Sequence, residues 1–230
     1  MSVWNVKWID HQFDDGDFFF EADGTEWKVD TKISEKAFLF YAKRYGTRKT
    51  KLSRRLFTTA IRVPPSYPPS KDPEERAKLA LPYPGAFCLK ELMALQLLEK
   101  GGCSVTPKLL TWFNSWQTPE MLVPGGYIMI LVMEKLPGEP LTDFWDRPFE
   151  EREKIRAAFR RAATEFYSHR VYPDDEQLRN LLYDAEEDKC YFLDFEDSLI
   201  LDEDEEPPGW WDRFFFSWKL AYHRNGEVHY

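Results

Sequence analysis

The pattern of hydrophobic and polar positions changes period several times along this chain. Within the first fifty residues, "DFFFEAD", "TEWKVDTKI" and "KAFLFYAKRY" are aromatic and β-branched stretches separated by turn-type residues, with Asp23-Gly24 a hairpin signal. A basic segment follows, holding Arg48, Lys49, Lys51, Arg54 and Arg55, and reads as a solvated face. Next comes "VPPSYPPSKDPEE", a Pro-rich insertion at about residues 62–75 that is incompatible with regular structure. From Ala86 to Lys100 the period becomes helical, with Phe87, Ala94, Leu95 and Leu98 on one stripe, and Gly101-Gly102 ends it.

The run "YIMILVMEKL" predicts a strongly apolar strand, stopped at Leu136-Pro137-Gly138 and followed by a short helix. Between Pro148 and Arg170 a second helix is expected, because Ile155, Ala158, Phe159, Ala162, Phe166 and Tyr167 recur at helical spacing. A loop then leads to a strand (Asn180 to Tyr183), a charged turn (Ala185 to Lys189) and another strand (Cys190 to Phe195). An acidic loop (Asp202 to Glu206) reads as solvated, and Pro207-Pro208-Gly209 breaks the chain. The aromatic segment "WWDRFFFSWKLAY" reads as a closing helix whose rings serve the core. The order of elements predicts an α+β protein with a strand-rich first lobe and a helix-rich second.

Composition narrows the classes without naming one. The 230 residues are 43% hydrophobic and 31% charged, which suits a globular chain with a sizeable core. A formal net charge of -9 argues against general nucleic-acid or anionic-membrane binding. Cys88, Cys103 and Cys190 form no CxxC pair, and the four His show no ligand spacing, so zinc fingers and a disulfide framework are not expected. The start of the chain lacks the apolar run of a signal peptide, and no stretch is long enough to span a bilayer, so the expected location is cytoplasmic or nuclear.

Two features carry candidate chemistry. Glu91 falls on the apolar stripe of its helix, where a carboxylate needs a cationic or hydrogen-bonding partner. Asp175 is followed five positions on by Asn180, and fourteen further on by Asp194 in Phe-Leu-Asp-Phe-Glu. Phosphoryl transfer from a nucleotide needs a proton acceptor for the attacking hydroxyl, oxygen ligands for magnesium and a cation on the phosphates. Protein kinases place a base Asp and a metal-binding Asn in one Asp-x-x-x-x-Asn loop, with a second metal-binding Asp after a following strand. Asp175 to Asn180 reproduces the first element, and Asp194-Phe195-Glu196 resembles the second, with Glu in place of Gly.

The flanking segments resemble the same superfamily. "LVMEKLPGEPLTDF" resembles the strand, hinge and helix of aminoglycoside and choline phosphotransferases, and "KELMALQLLEKGGCSVTPKLL" their Glu-bearing helix and next strand. Phe40 to Tyr45 resembles the strand whose Lys contacts nucleotide phosphates, so Lys43 is the candidate partner of Glu91, although Lys28, Lys32 and Lys36 also lie on candidate strands. Residues 37–198 thus resemble the protein-kinase-like superfamily, in its aminoglycoside/choline phosphotransferase branch with small fungal relatives. That resemblance implies a two-lobed fold: an N-lobe over residues 1–133, then a hinge and reduced helical C-lobe over 134–230.

It also implies ATP and Mg2+ as cofactors, Asp175 as the base, Asn180 and Asp194 on the metal, Lys43 and Glu91 at the phosphates, and Glu134 and Leu136 presenting backbone to the adenine. The implied activity is phosphoryl transfer to a hydroxyl of a small molecule or protein. Some positions depart from the pattern. Pro173 stands where the family has His, His169-Arg170 is followed by Val171 rather than an acid, no Gly-rich loop is visible, and only residues 199–230 follow Ser198. The alternative expectation is therefore a pseudokinase that keeps the fold as a nucleotide- or protein-binding module.

Overall fold

The computed structural model describes residues 19–22, 25–28, 31–36, 45–52, 55–62, 72–81, 83–84, 86–119, 123–196, 198–207 and 209–230. Lys43 and most of the Pro-rich insertion lie outside the described residues. The chain divides into two compact units, one formed by Met1–Leu89 with Leu109–Lys135, the other by Lys90–Lys108 with Leu136–Tyr230.

The first unit is built on an antiparallel five-stranded sheet in the order β3-β4-β5-β7-β6. Its strands are β3 (Thr31–Lys36), β4 (Tyr45–Leu52), β5 (Arg55–Arg62), β6 (Leu109–Trp116) and β7 (Tyr127–Glu134), beside a separate hairpin of β1 (Phe19–Ala22) and β2 (Thr25–Lys28). Arg48, Lys49, Lys51 and Arg55 of the basic run lie on the paired strands β4 and β5, where Lys49 opposes Thr58 and Lys51 opposes Leu56. The apolar run at 127–133 is a strand, as its pattern predicts. Every residue from Tyr127 to Met133 is buried, and neighbouring strands pair on both of its edges. A short helix, α1 (Pro73–Ala77), corrects the end of the Pro-rich stretch, where no regular structure was expected: Pro73 suits a first helical position, and the Asp72 carboxylate caps the helix by accepting from the Glu74 N–H.

The second unit is organised by two longer helices, α2 (Ala86–Lys100), most of which belongs to it, and α3 (Phe149–Ser168). Gly101-Gly102 stops α2 as expected: Gly102 takes φ 73° and the Cys103 N–H returns to the Leu98 carbonyl. A 3-10 turn (Leu141–Asp146) follows the Pro137-Gly138 stop. α3 buries the predicted stripe of Ile155, Ala158, Phe159, Ala162, Phe166 and Tyr167. That stripe packs on a small sheet ordered β11-β10-β8, with β8 (Glu139–Pro140), β10 (Leu181–Asp184) and β11 (Lys189–Phe192). Phe166 stacks on Phe192 with ring centroids 4.4 Å apart, and Trp218 meets Phe192 edge-on at 5.1 Å. Two further pairs complete the unit: β9 (Val171–Pro173) with β12 (Ser198–Ile200), and β13 (Tyr222–Arg224) with β14 (Glu227–His229). Among the described residues no helix is long and apolar enough to cross a membrane.

The C-terminal segment corrects the expected long helix. Only α4 (Arg213–Ser217) is helical, and Lys219 then takes φ 61° while the Leu220 and Ala221 amides both return to the Phe215 carbonyl. Turning the chain there buries Trp218, Leu220 and Ala221, whereas a continued helix would have pointed Leu220 away from the face shared by Trp218 and Ala221. Trp211, by contrast, is exposed.

Gly138 sets the spacing of the small sheet. Its φ is 92°, and a Cβ there would lie 2.6 Å from the Tyr183 carbonyl carbon and oxygen and 2.8 Å from the Asp184 nitrogen, which are backbone atoms of β10. Gly138→Ala is therefore expected to destabilise the protein by about 2–4 kcal/mol, combining a left-handed backbone penalty with a clash that no rotamer relieves. Urea unfolding followed by tryptophan fluorescence measures it, and a change within error of zero contradicts the close approach.

Candidate functional site

The residues singled out by spacing sit on a continuous backbone path in the second unit. After β9 the chain enters a polar loop, Asp174-Asp175-Glu176-Gln177, and tightens into the 3-10 turn Leu178–Asn180, where the Asn180 N–H donates to the Gln177 carbonyl at 2.9 Å. Asn180 is 3% exposed. Its Nδ2 donates to the Asp175 carbonyl at 2.9 Å and to Asp175 Oδ2 at 3.3 Å. With the amide nitrogen committed to Asp175, Oδ1 is the Asn180 atom left to act as an oxygen ligand. Arg179 donates from Nη2 to Asp175 Oδ2 at 2.5 Å, which steadies a carboxylate that is itself only half-buried.

Asp194 reaches the same place through the β10–β11 hairpin. The ladder pairs Leu181 with Phe192, and one step beyond it the Leu193 N–H donates to the Asn180 carbonyl at 2.8 Å. Asp194 follows directly, 9% exposed and with φ 70°. A non-glycine residue in the left-handed region is held there by its surroundings, at a typical cost of about 1–3 kcal/mol. The hairpin thus brings a buried carboxamide and a buried carboxylate to neighbouring strand ends, with the Asp175 carboxylate on the loop that precedes them. This donor set is all oxygen, and it suits a hard cation such as magnesium rather than a soft one.

The loop is anchored from its far side by a residue that the spacing did not single out. The Tyr167 hydroxyl donates to Glu176 Oε1 at 3.3 Å and accepts from Trp218 Nε1 at 2.8 Å, while Lys219 Nζ donates to the Glu176 carbonyl at 3.2 Å. Burial pushes the Glu176 carboxyl above its ordinary 4.5, partly offset by hydrogen bonds from Ser217 and Tyr167 and by the charge of Lys219. Burial likewise pushes the Tyr167 hydroxyl far up, so it stays protonated as a donor. Arg179 was open to detection in the sequence, four positions after Asp175. Glu176 was not, because its partners lie on α3 and in the C-terminal segment.

The remaining candidates are placed as follows. Glu91 is 3% exposed on the same helical stripe as Leu92, Ala94, Leu95 and Leu98, and the residue is not without a partner. Lys43, its expected partner, lies outside the described residues. Glu134 ends β7 opposite Arg55 in the strand register. Leu136 packs its side chain with Leu182, Tyr191 and Leu193, forming an apolar patch that runs to the residue before Asp194.

The chain matches no family model and no curated protein sequence. Among solved structures it is similar to WbdD in a co-crystal with the kinase inhibitor LY294002, with a TM-score of 0.50 and 16% identity over 81% of this chain and 36% of that one. A second WbdD structure, described as a bifunctional kinase-methyltransferase, overlaps with a TM-score of 0.49 and 17% identity over 80% of this chain and 37% of that one. The kinase PK-1 of Cydia pomonella granulovirus overlaps at a TM-score of 0.42 and 14% identity, over 82% of this chain and 64% of that one. The chain therefore spans little more than a third of the length of the WbdD structures. At these identities the likeness is one of fold: mixed helix and strand, of the protein-kinase-like kind.

Proposed function

We propose that this protein is an ATP- and magnesium-dependent phosphotransferase acting on a hydroxyl, nearest in its motifs to the aminoglycoside/choline phosphotransferase branch. The observation that carries the reading is the hydrogen bond from Leu193 N–H to the Asn180 carbonyl, which sets Asp194 beside Asn180. Asn180 Oδ1 and the Asp194 carboxylate would hold the metal, which when bound neutralises charge on the nucleotide phosphates. Asp175 would accept the proton of the attacking hydroxyl, oriented by Arg179 and Asn180. The apolar patch of Leu136, Leu182, Tyr191 and Leu193 supports the reading by offering a surface on which an adenine could rest. Glu91, with Lys43 as its partner, would serve the phosphates.

A second reading, a pseudokinase that binds nucleotide without turnover, is favoured by one contact. Arg179 and Asn180 both donate to Asp175 Oδ2, so one of the two carboxylate oxygens is engaged within the chain and only Oδ1 is left for a substrate hydroxyl. The two readings separate by experiment. ATP should raise the melting temperature only with Mg2+ present, and Asp194→Asn should abolish that shift by removing a charged ligand. Asp175→Asn should keep the shift while lowering phosphoryl transfer about 10²–10⁴-fold, since it removes only a proton acceptor. Binding without transfer in the parent protein selects the pseudokinase, and so does the absence of any Mg2+-dependent shift, which leaves only its protein-binding form.

Glu176 adds a pH signature. Its carboxyl pKa is raised by burial, so the folded protein holds the proton more tightly than the unfolded chain does. The stability this supplies is complete below the ordinary value of 4.5 and is lost as pH rises through the higher folded value. Glu176→Gln keeps an acceptor for Tyr167 without the titration. The stability of the variant relative to the parent should therefore grow as pH rises from acid to neutral in denaturant titrations, and a constant or shrinking difference contradicts the assignment.

A further inference from the structure

We propose that Cys103, Glu165 and His169 form a binding site for a borderline-soft divalent cation, with zinc as the best chemical match, joining the turn after α2 to the last turn of α3. The three offer a sulfur, a carboxylate oxygen and an imidazole nitrogen, all within 4.8 Å of one another. Tetrahedral zinc, with bonds of about 2.0–2.3 Å, sets such ligands roughly 3.3–3.7 Å apart, so a side-chain adjustment of about 1 Å closes the set. Glu165 lies in the last turn of α3 and His169 is its C-cap, four positions on, close to the i, i+4 relation that helical metal ligands use.

The surroundings hold the ligands in place. Ser104 donates its N–H to Glu165 Oε1 at 2.5 Å and its hydroxyl to Oε2 at 3.0 Å, and Lys189 Nζ donates to that hydroxyl at 3.2 Å. These bonds orient the carboxylate and leave each oxygen a further lone pair. Gly101 makes room for the imidazole: a Cβ there would lie 2.4 Å from His169 Nδ1 and 2.9 Å from Cε1. Cys103 is buried, while Glu165 and His169 are half-buried, so solvent can supply a fourth ligand. On binding, the Cys103 S–H bond breaks, its proton passes to solvent and the thiolate bonds the cation. One thiolate, one carboxylate and a neutral imidazole then balance the two charges of zinc, which matters beside the buried Cys103, where an unbalanced charge is costly.

The test uses the full chain stripped with a chelator, without nucleotide, and Co2+ as a spectroscopic stand-in for zinc. One equivalent of Co2+ should give a thiolate-to-cobalt charge-transfer band that zinc displaces. Cys103→Ser should abolish the band, and His169→Gln, at a half-buried helix end, should weaken Co2+ affinity by roughly tenfold or more. Three results would each overturn the proposal: no charge-transfer band in the parent, a band that survives in Cys103→Ser, or unchanged affinity in His169→Gln.

Discussion

The register of the β10–β11 hairpin is the constraint on which the candidate site depends. Leu181 opposes Phe192, and the Leu193–Asn180 hydrogen bond continues that alignment one step past the ladder. Side chains alternate between faces along a strand, so a slip of one residue would turn Phe192 out of its stack on Phe166 and carry Asp194 away from Asn180. The register is pinned at its turn, where Asp184 accepts from the Glu186 N–H at 3.0 Å and Asp188 is held by Arg161 and the Tyr183 hydroxyl. It is pinned along its edge by β8, which the absence of a side chain at Gly138 allows to lie against β10.

α3 supports this hairpin and does more than supply core. Its apolar stripe, through Phe159 and Phe166, meets Phe192 and Trp218, so the floor of the hairpin and the C-terminal segment share one aromatic seam. Its last two turns carry polar groups in two directions. Tyr167 faces Glu176 and Trp218, steadying the loop that bears Asp175, while Glu165 and His169 face the turn after α2. The helical period separates these directions by residue number alone, since positions 165 and 169 share a face that 167 does not. One rigid helix thereby serves a loop and a helix end without either competing for the same side chains.

Much of this was legible in the chain because the signals are local. The β7 strand, the stop of α2 at Gly101-Gly102 and the buried stripe of α3 follow from period and from residues with restricted backbone. Asp175, Asn180 and Asp194 could be linked by spacing because only a short hairpin intervenes, so sequence distance translates directly into space. The β4–β5 pairing was not legible, since the charged residues of that segment carry no clear strand period. Nor was the end of α4, where the burial of Trp218 and Leu220 beat the helical appearance of the aromatic run.

What tertiary structure alone decided are the partnerships between distant segments. Ser104 meets Glu165 across 61 positions, Trp218 meets Tyr167 across 51, and Cys103 comes beside His169 with no motif to announce it. Such contacts arise from the packing of helix ends and of the C-terminal turn onto α3. Packing depends on the shape of the whole unit, and no periodicity within a short window of residues encodes it.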